Sequence, residues 1–254
     1  SVQFSHIPYG VSYIVDQHDY TDKGYAEPVY NVDGTDLEDT TANEDVQGQL
    51  NLSTEGEMIM RLVIRDCRNE GTISAGKQYA GGIVGKMTVG AIFHGMNTGG
   101  INALGADYAG GIAGSSETYI TDSFSRCMIS GKQYVGGIAG SIDDEALVVG
   151  CTSEGEVSGR HSVGGIVGNN RNIVEDCIND AAVSAPESAG GIAGHSGYYI
   201  RRCINNGSLT NAQTYVGGIA GYAAYSIEDC INYGTIGNLS NAKSVGGICG
   251  QSED

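Results

Sequence analysis

From residue 64 onward, aliphatic, small and glycine positions follow one another in an order that returns every 26 to 29 residues. Each repeat opens with an aliphatic residue, carries a small residue three positions later and a second aliphatic residue six positions beyond that. The opening column is Ile64, Ile92, Ile120, Val148, Val174, Ile200 and Ile227. A glycine pair and an isoleucine close each repeat, at Ile83, Ile112, Ile138, Ile166, Ile192, Ile219 and Ile248. Seven copies of a fixed period predict a stack of repeated units.

The residue types in these columns favour strands over helices. Isoleucine and valine fill the defining positions, glycine is frequent, and no stretch offers ten good helix formers at a period near 3.6. A coil of about 27 residues holds two or three short strands, and stacked coils place equivalent residues about 4.8 Å apart. We therefore predict an all-β fold, a parallel β-helix or β-solenoid of about seven coils.

The glycine pair before each isoleucine predicts a tight corner. Glycine is tolerated in a β coil where the chain bends sharply, adopts positive φ, or passes so close to another backbone that a Cβ would clash. The following isoleucine then enters the core. A phosphate-binding loop is disfavoured, because the spacings GxxxxGK[S/T] and GxGxxG are missing and the motif occurs seven times.

Two regions are predicted from the change in pattern. Residues 61–254 form the solenoid, whereas residues 1–60 are acidic and rich in tyrosine and form an N-terminal cap or a small β module. The acidic run that begins at Asp33 could attract calcium, but it lacks the EF-hand spacing and a solvated loop is the commoner outcome. The chain begins at Ser1 without a signal peptide, so we expect it to be part of a larger polypeptide.

Charge and hydropathy exclude two classes of partner. The formal net charge is −17, a surface that repels nucleic-acid phosphates and anionic lipid. No apolar run reaches the length of a transmembrane helix, so membrane insertion of this chain is not expected.

Five of the seven cysteines share the small column of the repeat. These are Cys67, Cys151, Cys177, Cys203 and Cys230, and Gly95 and Ser123 fill the same column in the other two repeats. A column that accepts glycine, serine and cysteine is typical of a small buried side chain. Without a CxxC pair we predict no metal site and no cofactor. Disulfides between neighbouring coils stay open as an alternative.

Acidic residues also recur with the repeat, at Asp66, Asp122, Asp176 and Asp229. Parallel β-helices host polysaccharide lyases and glycosidases, which need carboxylates or basic residues clustered across coils. A recurring residue usually serves the coil itself, and here the predicted role is turn capping through backbone hydrogen bonds. We therefore predict no catalytic residues and no enzyme activity, with a polysaccharide-active lyase or glycosidase as the alternative.

A tyrosine column is the candidate binding site. Tyr79, Tyr108 and Tyr134 precede the glycine pair in three successive repeats and would stack as an aromatic stripe suited to sugar rings or partner side chains. Ser162 and Ser188 continue the column, which indicates an exposed site. Stacked tyrosines often stabilise a coil face instead, and that alternative stays open.

The repeat as a whole resembles a known family. The form Ile/Val-x-x-Cys-x-Asn-x-Gly-x-Ile/Val, followed by a loop and Tyr/Ser-Val/Ala-Gly-Gly-Ile-Ala/Val-Gly, is similar to the GLUG repeats of bacterial surface and secreted proteins. That family includes adhesin-like proteins and some immunoglobulin-A-specific metallopeptidases. The likeness covers residues 64–250, with Cys127 and Ala181 standing where the family pattern has glycine.

The resemblance implies a function. The chain would serve as an extracellular stalk, or as an adhesive or display surface, of a larger bacterial surface protein that binds a host protein or glycan. Localisation is then secreted or at the cell surface. The metallopeptidase activity of some relatives is not implied, because the chain lacks an HExxH motif.

Overall fold

The β-branched columns of the repeat form short parallel strands that stack in register. The structure is a computed structural model, and it describes residues 62–237 and 242–252. Within these residues the chain winds through seven coils, and each coil crosses four parallel sheets in turn. The predicted all-β solenoid is confirmed. The module predicted for residues 1–60 and its calcium site lie outside the described residues.

Sheets 1 and 2 form the first half of every coil. The strands of sheet 1 are Val63–Arg65, Ala91–Phe93, Tyr119–Thr121, Leu147–Val149, Ile173–Glu175, Ile200–Arg201 and Ile227–Glu228. The strands of sheet 2 are Arg68–Asn69, Ile73–Ser74, Met96–Asn97, Ile101–Asn102, Phe124–Ser130, Thr152–Ser158, Ile178–Asn179, Ala182–Ser184, Ile204–Asn205, Leu209–Thr210 and Ile231–Asn232.

Sheets 3 and 4 form the second half, on either side of the glycine pair. The strands of sheet 3 are Tyr79–Gly81, Tyr108–Gly110, Tyr134–Gly136, Ser162–Gly164, Ser188–Gly190, Tyr215–Gly217 and Ser244–Gly246. The strands of sheet 4 are Val84–Met87, Ala113–Ser116, Ala139–Ile142, Val167–Asn170, Ala193–Ser196, Ala220–Ala223 and Cys249–Ser252. The expectation of two or three strands per coil is therefore wrong, because the corner and a left-handed turn divide each coil further.

The register aligns the predicted columns residue for residue. Ile64 pairs with Ile92, and Ile92 with Ile120, while Tyr108 pairs with Tyr79 on one side and Tyr134 on the other. Ile112 and Ile138 are fully buried, as the corner interpretation requires. Each aliphatic side chain thus packs between its own copies in the coils above and below.

The interior is divided into two apolar cores. The first lies against sheets 1 and 4 and contains the opening aliphatics, the corner isoleucines and the cysteine column. The second lies between sheet 3 and the later part of sheet 2, and includes Ile129, Val157 and Val135. A polar column separates them at the inner face of sheet 2: Asn69, Asn97, Ser125, Ser153, Asn179, Asn205 and Asn232. We call this column the asparagine ladder.

The corner glycines touch the asparagine ladder. A Cβ on Gly111 would overlap the Ser125 side chain and the Gly137 carbonyl oxygen, and a Cβ on Gly165 would overlap the Asn179 side chain. The corner therefore points inward and meets sheet 2, which pinches the coil into its two cores. Among the described residues no helix has the length and hydropathy of a membrane span.

Candidate functional site

The three predicted tyrosines form a continuous stack on sheet 3. The ring centroids of Tyr79 and Tyr108 are 5.1 Å apart with an interplanar angle of 18°, and those of Tyr108 and Tyr134 are 5.4 Å apart at 22°. The in-register strands set this spacing, since parallel neighbours place equivalent side chains directly above one another. All three side chains are half-buried. We call this set the tyrosine ladder.

Stacking determines which part of each ring a ligand meets. Neighbouring rings cover each other's faces, so the ladder presents ring edges and a row of hydroxyl groups rather than open aromatic faces. At the coil-4 end of the ladder, no tyrosine covers the face of Tyr134, because Ser162 stands at the next position. Burial raises the pKa of the Tyr108 hydroxyl, so the central phenol stays protonated and can donate a hydrogen bond at neutral pH.

Sheet 4 supplies a second column beside the tyrosine ladder, seven residues further along each coil. Lys86 Nζ lies 5.7 Å from the centre of the Tyr79 ring, and Tyr215 and Tyr222 have ring centroids 6.2 Å apart. Lys86 also forms an ion pair with Glu117 at 2.8 Å, and the hydrogen bond to Glu117 raises the pKa of the Lys86 ammonium. The ladder is thus bordered by charge at its Tyr79 end.

A second aromatic cluster, which the sequence analysis did not single out, lies in the loops that connect sheet 4 to sheet 1. Tyr198 and Tyr225 stack with ring centroids 5.0 Å apart, and Tyr199 meets both rings edge-on. Arg201 lies over the Tyr199 ring at 5.4 Å. The sequence signal was weak, because these tyrosines occupy connecting loops, where residues do not recur in every repeat.

The recurring aspartates occupy a left-handed turn between sheets 1 and 2. The backbone φ is between 48° and 65° throughout the column Asp66, His94, Asp122, Gly150, Asp176, Arg202 and Asp229. Aspartate and glycine are among the residues that adopt this conformation most readily. The predicted backbone capping by Asp66 and Asp176 is not what the structure shows, because these side chains contact His94 and Arg202 of the next coil.

Ion pairs between coils engage many of the charged groups. Arg126 and Glu154 are 2.6 Å apart, and Arg202 contacts both Asp176 and Glu175. Two of the four recurring aspartates therefore pair with the next coil, and the four aspartates stand in alternate coils.

The cysteines are thiols in the described structure. Cys151, Cys177 and Cys203 are fully buried, Cys67 is exposed, and none is in a disulfide. The small buried column is thus confirmed, and the disulfide alternative is not realised. Burial raises the pKa of the Cys177 thiol well above its usual range, which keeps it neutral and unreactive. Among the described residues, no group of three or more His, Cys, Asp or Glu side chains could hold a metal ion.

Comparisons with known proteins add one distant likeness. No family model matches the chain, so membership of the GLUG family stays a prediction. No curated protein matches either. A crystal structure from Bacteroides ovatus, solved as a "putative immunoglobulin A1 protease", is similar over 76% of this chain and 67% of that chain, with a TM-score of 0.46 and 19% identity. That likeness is too low to carry a conclusion about activity.

Proposed function

We propose that this chain is a non-catalytic, extracellular repeat domain that serves as a stalk and display surface of a larger bacterial surface protein. The observation that supports this proposal is the tyrosine ladder, an ordered row of half-buried tyrosines on a continuous parallel sheet. The proposed ligand is a host protein or a glycan. Hydroxyl groups of the ligand would form hydrogen bonds with the tyrosine hydroxyls. In a glycan, one sugar ring would also stack on the open face of Tyr134.

The test replaces the ladder without disturbing the coil. Serine occupies the same column at Ser162, Ser188 and Ser244, so the triple variant Tyr79→Ser, Tyr108→Ser and Tyr134→Ser is expected to fold. The wild-type chain is screened against a glycan array and against mucus and serum proteins. We expect the triple variant to lose the ligand that the wild type captures.

A matched control uses the second aromatic cluster. Replacing Tyr198, Tyr199 and Tyr225 by serine removes the same number of rings from a different surface and should leave capture unchanged. If the triple variant still captures the ligand, the tyrosine ladder is not the binding site. If the wild-type chain captures no glycan and no protein, the stalk role would stand without an adhesive role.

The alternative, a polysaccharide-active enzyme, is tested with the same protein. Incubation with pectin, glycosaminoglycans and mucin glycans is followed by an assay for new reducing ends. The non-catalytic proposal expects no increase over buffer, and any release that scales with protein concentration would contradict it.

A further inference from the structure

The outer face of sheet 2 carries an apolar column that the repeat does not require. The aligned outward positions in successive coils are Arg68, Met96, Phe124, Thr152, Ile178, Ile204 and Ile231. We call the run from Met96 to Ile231 the apolar stripe. It crosses six coils, which at about 4.8 Å per step gives a length of roughly 24 Å.

The stripe faces outward because strand side chains alternate between the two faces of a sheet. Each member directly precedes a residue of the asparagine ladder, and Asn97, Ser125 and Asn179 are fully buried. Ile178 and Ile231 are correspondingly 36% and 43% exposed. Phe124 is half-buried beneath the Arg126 guanidinium, which lies 5.3 Å from the ring centre.

The next outward column of the same sheet has a different composition from the stripe. Two residues further along each coil, the equivalent positions are Glu70, Thr98, Arg126, Glu154, Asp180, Asn206 and Tyr233. That column has the polar composition expected of a sheet face in water. Five of the six stripe residues are isoleucine, methionine or phenylalanine, and Thr152 is the sixth. A large apolar patch on the surface of a soluble protein is commonly an interaction site.

Acidic residues border the stripe on both sides. Alongside the stripe, the left-handed turn column supplies Asp122, Asp176 and Asp229, and the polar column supplies Glu154 and Asp180. In the described structure Arg126 and Arg202 pair with two of these five carboxylates, whereas Asp122, Asp180 and Asp229 form no ion pair. The surface is therefore complementary to an apolar ridge that has basic residues along both flanks.

We propose that the apolar stripe binds an amphipathic helix of a partner protein, with an apolar ridge and Lys or Arg on both flanks. A helix repeats its ridge about every 5.4 Å, close to the coil spacing, whereas one face of a strand repeats about every 6.8 Å. A length of about 24 Å corresponds to a helix of roughly 16 residues. This surface is separate from the tyrosine ladder and goes beyond the function proposed above.

The probe is a fluorescently labelled peptide of about 16 residues with a leucine ridge and lysine flanks. Its anisotropy is measured against the full chain. The comparison peptide has the same composition in scrambled order, because any cationic peptide is attracted to a chain of net charge −17. We expect the amphipathic peptide to bind at least about tenfold more tightly than the scrambled one.

Two sets of variants locate the binding. The double variant Ile178→Thr and Ile204→Thr copies the residue that coil 4 carries at Thr152 and should weaken binding at least about tenfold. Ile173→Thr, a half-buried outward position of sheet 1, is the matched control and should leave affinity unchanged. The double variant Asp122→Asn and Asp229→Asn removes two negative charges, and asparagine also tolerates the left-handed turn. This variant should reduce the salt dependence of peptide binding.

The outcomes separate this proposal from its competitors. Equal binding of the scrambled peptide, or an unchanged affinity in the Ile178→Thr and Ile204→Thr variant, would overturn it. Sedimentation with phosphatidylcholine vesicles that depends on the same two isoleucines would assign the stripe to a lipid surface instead. The tyrosine-ladder variant should bind the peptide as the wild type does, so failure of one proposal is distinguishable from failure of the other.

Discussion

At the scale of single residues, two different constraints shape each coil. The corner glycines of coils 1 to 6 are required for clearance, because a Cβ on either member of the pair would meet the backbone or side chains of neighbouring strands. Positive φ is found elsewhere among the described residues, most regularly in the turn column that starts at Asp66. Glycine therefore marks close packing at the corner, whereas aspartate marks the left-handed turn.

The corner predicts opposite outcomes for one substitution in two coils. A Cβ on Gly137 would overlap Ser153 and the Gly165 carbonyl oxygen, so Gly137→Ala should lower the free energy of unfolding by about 1 to 3 kcal/mol. Gly247 holds the same motif position in coil 7 and faces open space. Gly247→Ala should therefore change the free energy of unfolding by less than about 0.5 kcal/mol. Urea unfolding followed by circular dichroism checks both, and equal losses would contradict the clearance argument.

At the scale of the element, sheet 2 carries a different chemistry on each face. Its inner asparagines bond to one another across coils: Asn179 Nδ2 donates to Asn205 Oδ1 at 2.8 Å, and Asn205 Nδ2 to Asn232 Oδ1 at 2.8 Å. Each also closes a local turn, as where the Gly207 amide donates to Asn205 Oδ1 at 3.1 Å. The ladder thus pairs its own buried amides and the backbone groups of the adjacent turn.

Coils 3 and 4 have serine in the ladder, which allows a paired test. Asn205→Ala would remove the acceptor of one Asn179 Nδ2–H and of the Gly207 N–H, and should cost about 2 to 3 kcal/mol of unfolding free energy. Ser153 is buried and, within the described structure, its hydroxyl has no hydrogen-bond partner. Ser153→Ala should therefore be neutral or stabilise by up to about 1 kcal/mol, and a comparable loss in both variants of a denaturant titration would refute the ladder's role.

At the scale of the whole solenoid, stability is distributed along the stack. Two cores run side by side, ion pairs tie neighbouring coils together, and neutral thiols line the first core. Burial raises the pKa of Cys177, and hydrogen bonding to Cys177 raises the pKa of Cys203. Free thiols have pKa values of about 8.5. Above that pH the unfolded chain therefore releases thiol protons that the folded chain keeps.

Alkaline pH should destabilise the solenoid for this reason. The thiol contribution to stability is fully present below pH about 8.5 and is lost as the pH rises further, because the unfolded state then binds fewer protons than the folded one. The double variant Cys177→Ser and Cys203→Ser should show a shallower fall in melting temperature between about pH 8 and 10 than the wild type. Ser123→Ala, in the same column, removes no thiol and should shift the curve without changing its slope. If the melting temperatures of the wild type and the cysteine variant fall with the same slope over this pH range, the thiol explanation is wrong.

Much of the architecture followed from periodicity, and the exceptions have physical causes. The columns of Ile92 and Ile112 were identifiable because a stacked residue must match its own copies in size and polarity. The number of sheets was not predictable, since a left-handed turn at Asp122 or His94 depends on backbone angles that several residue types can adopt. The loop tyrosines Tyr198 and Tyr225 meet through loop geometry, which no repeat pattern encodes.

The sequence by itself determined the solenoid, its seven coils, and the stacking of Tyr79, Tyr108 and Tyr134, because in-register parallel strands turn a repeat in sequence into a column in space. The tertiary structure alone decided which residues the inward corner meets. Its contact with the asparagine ladder divides the interior into two cores and leaves the faces of sheets 2 and 3 with different surfaces. The reason is that this division depends on contacts between residues far apart within one coil, which a period cannot specify.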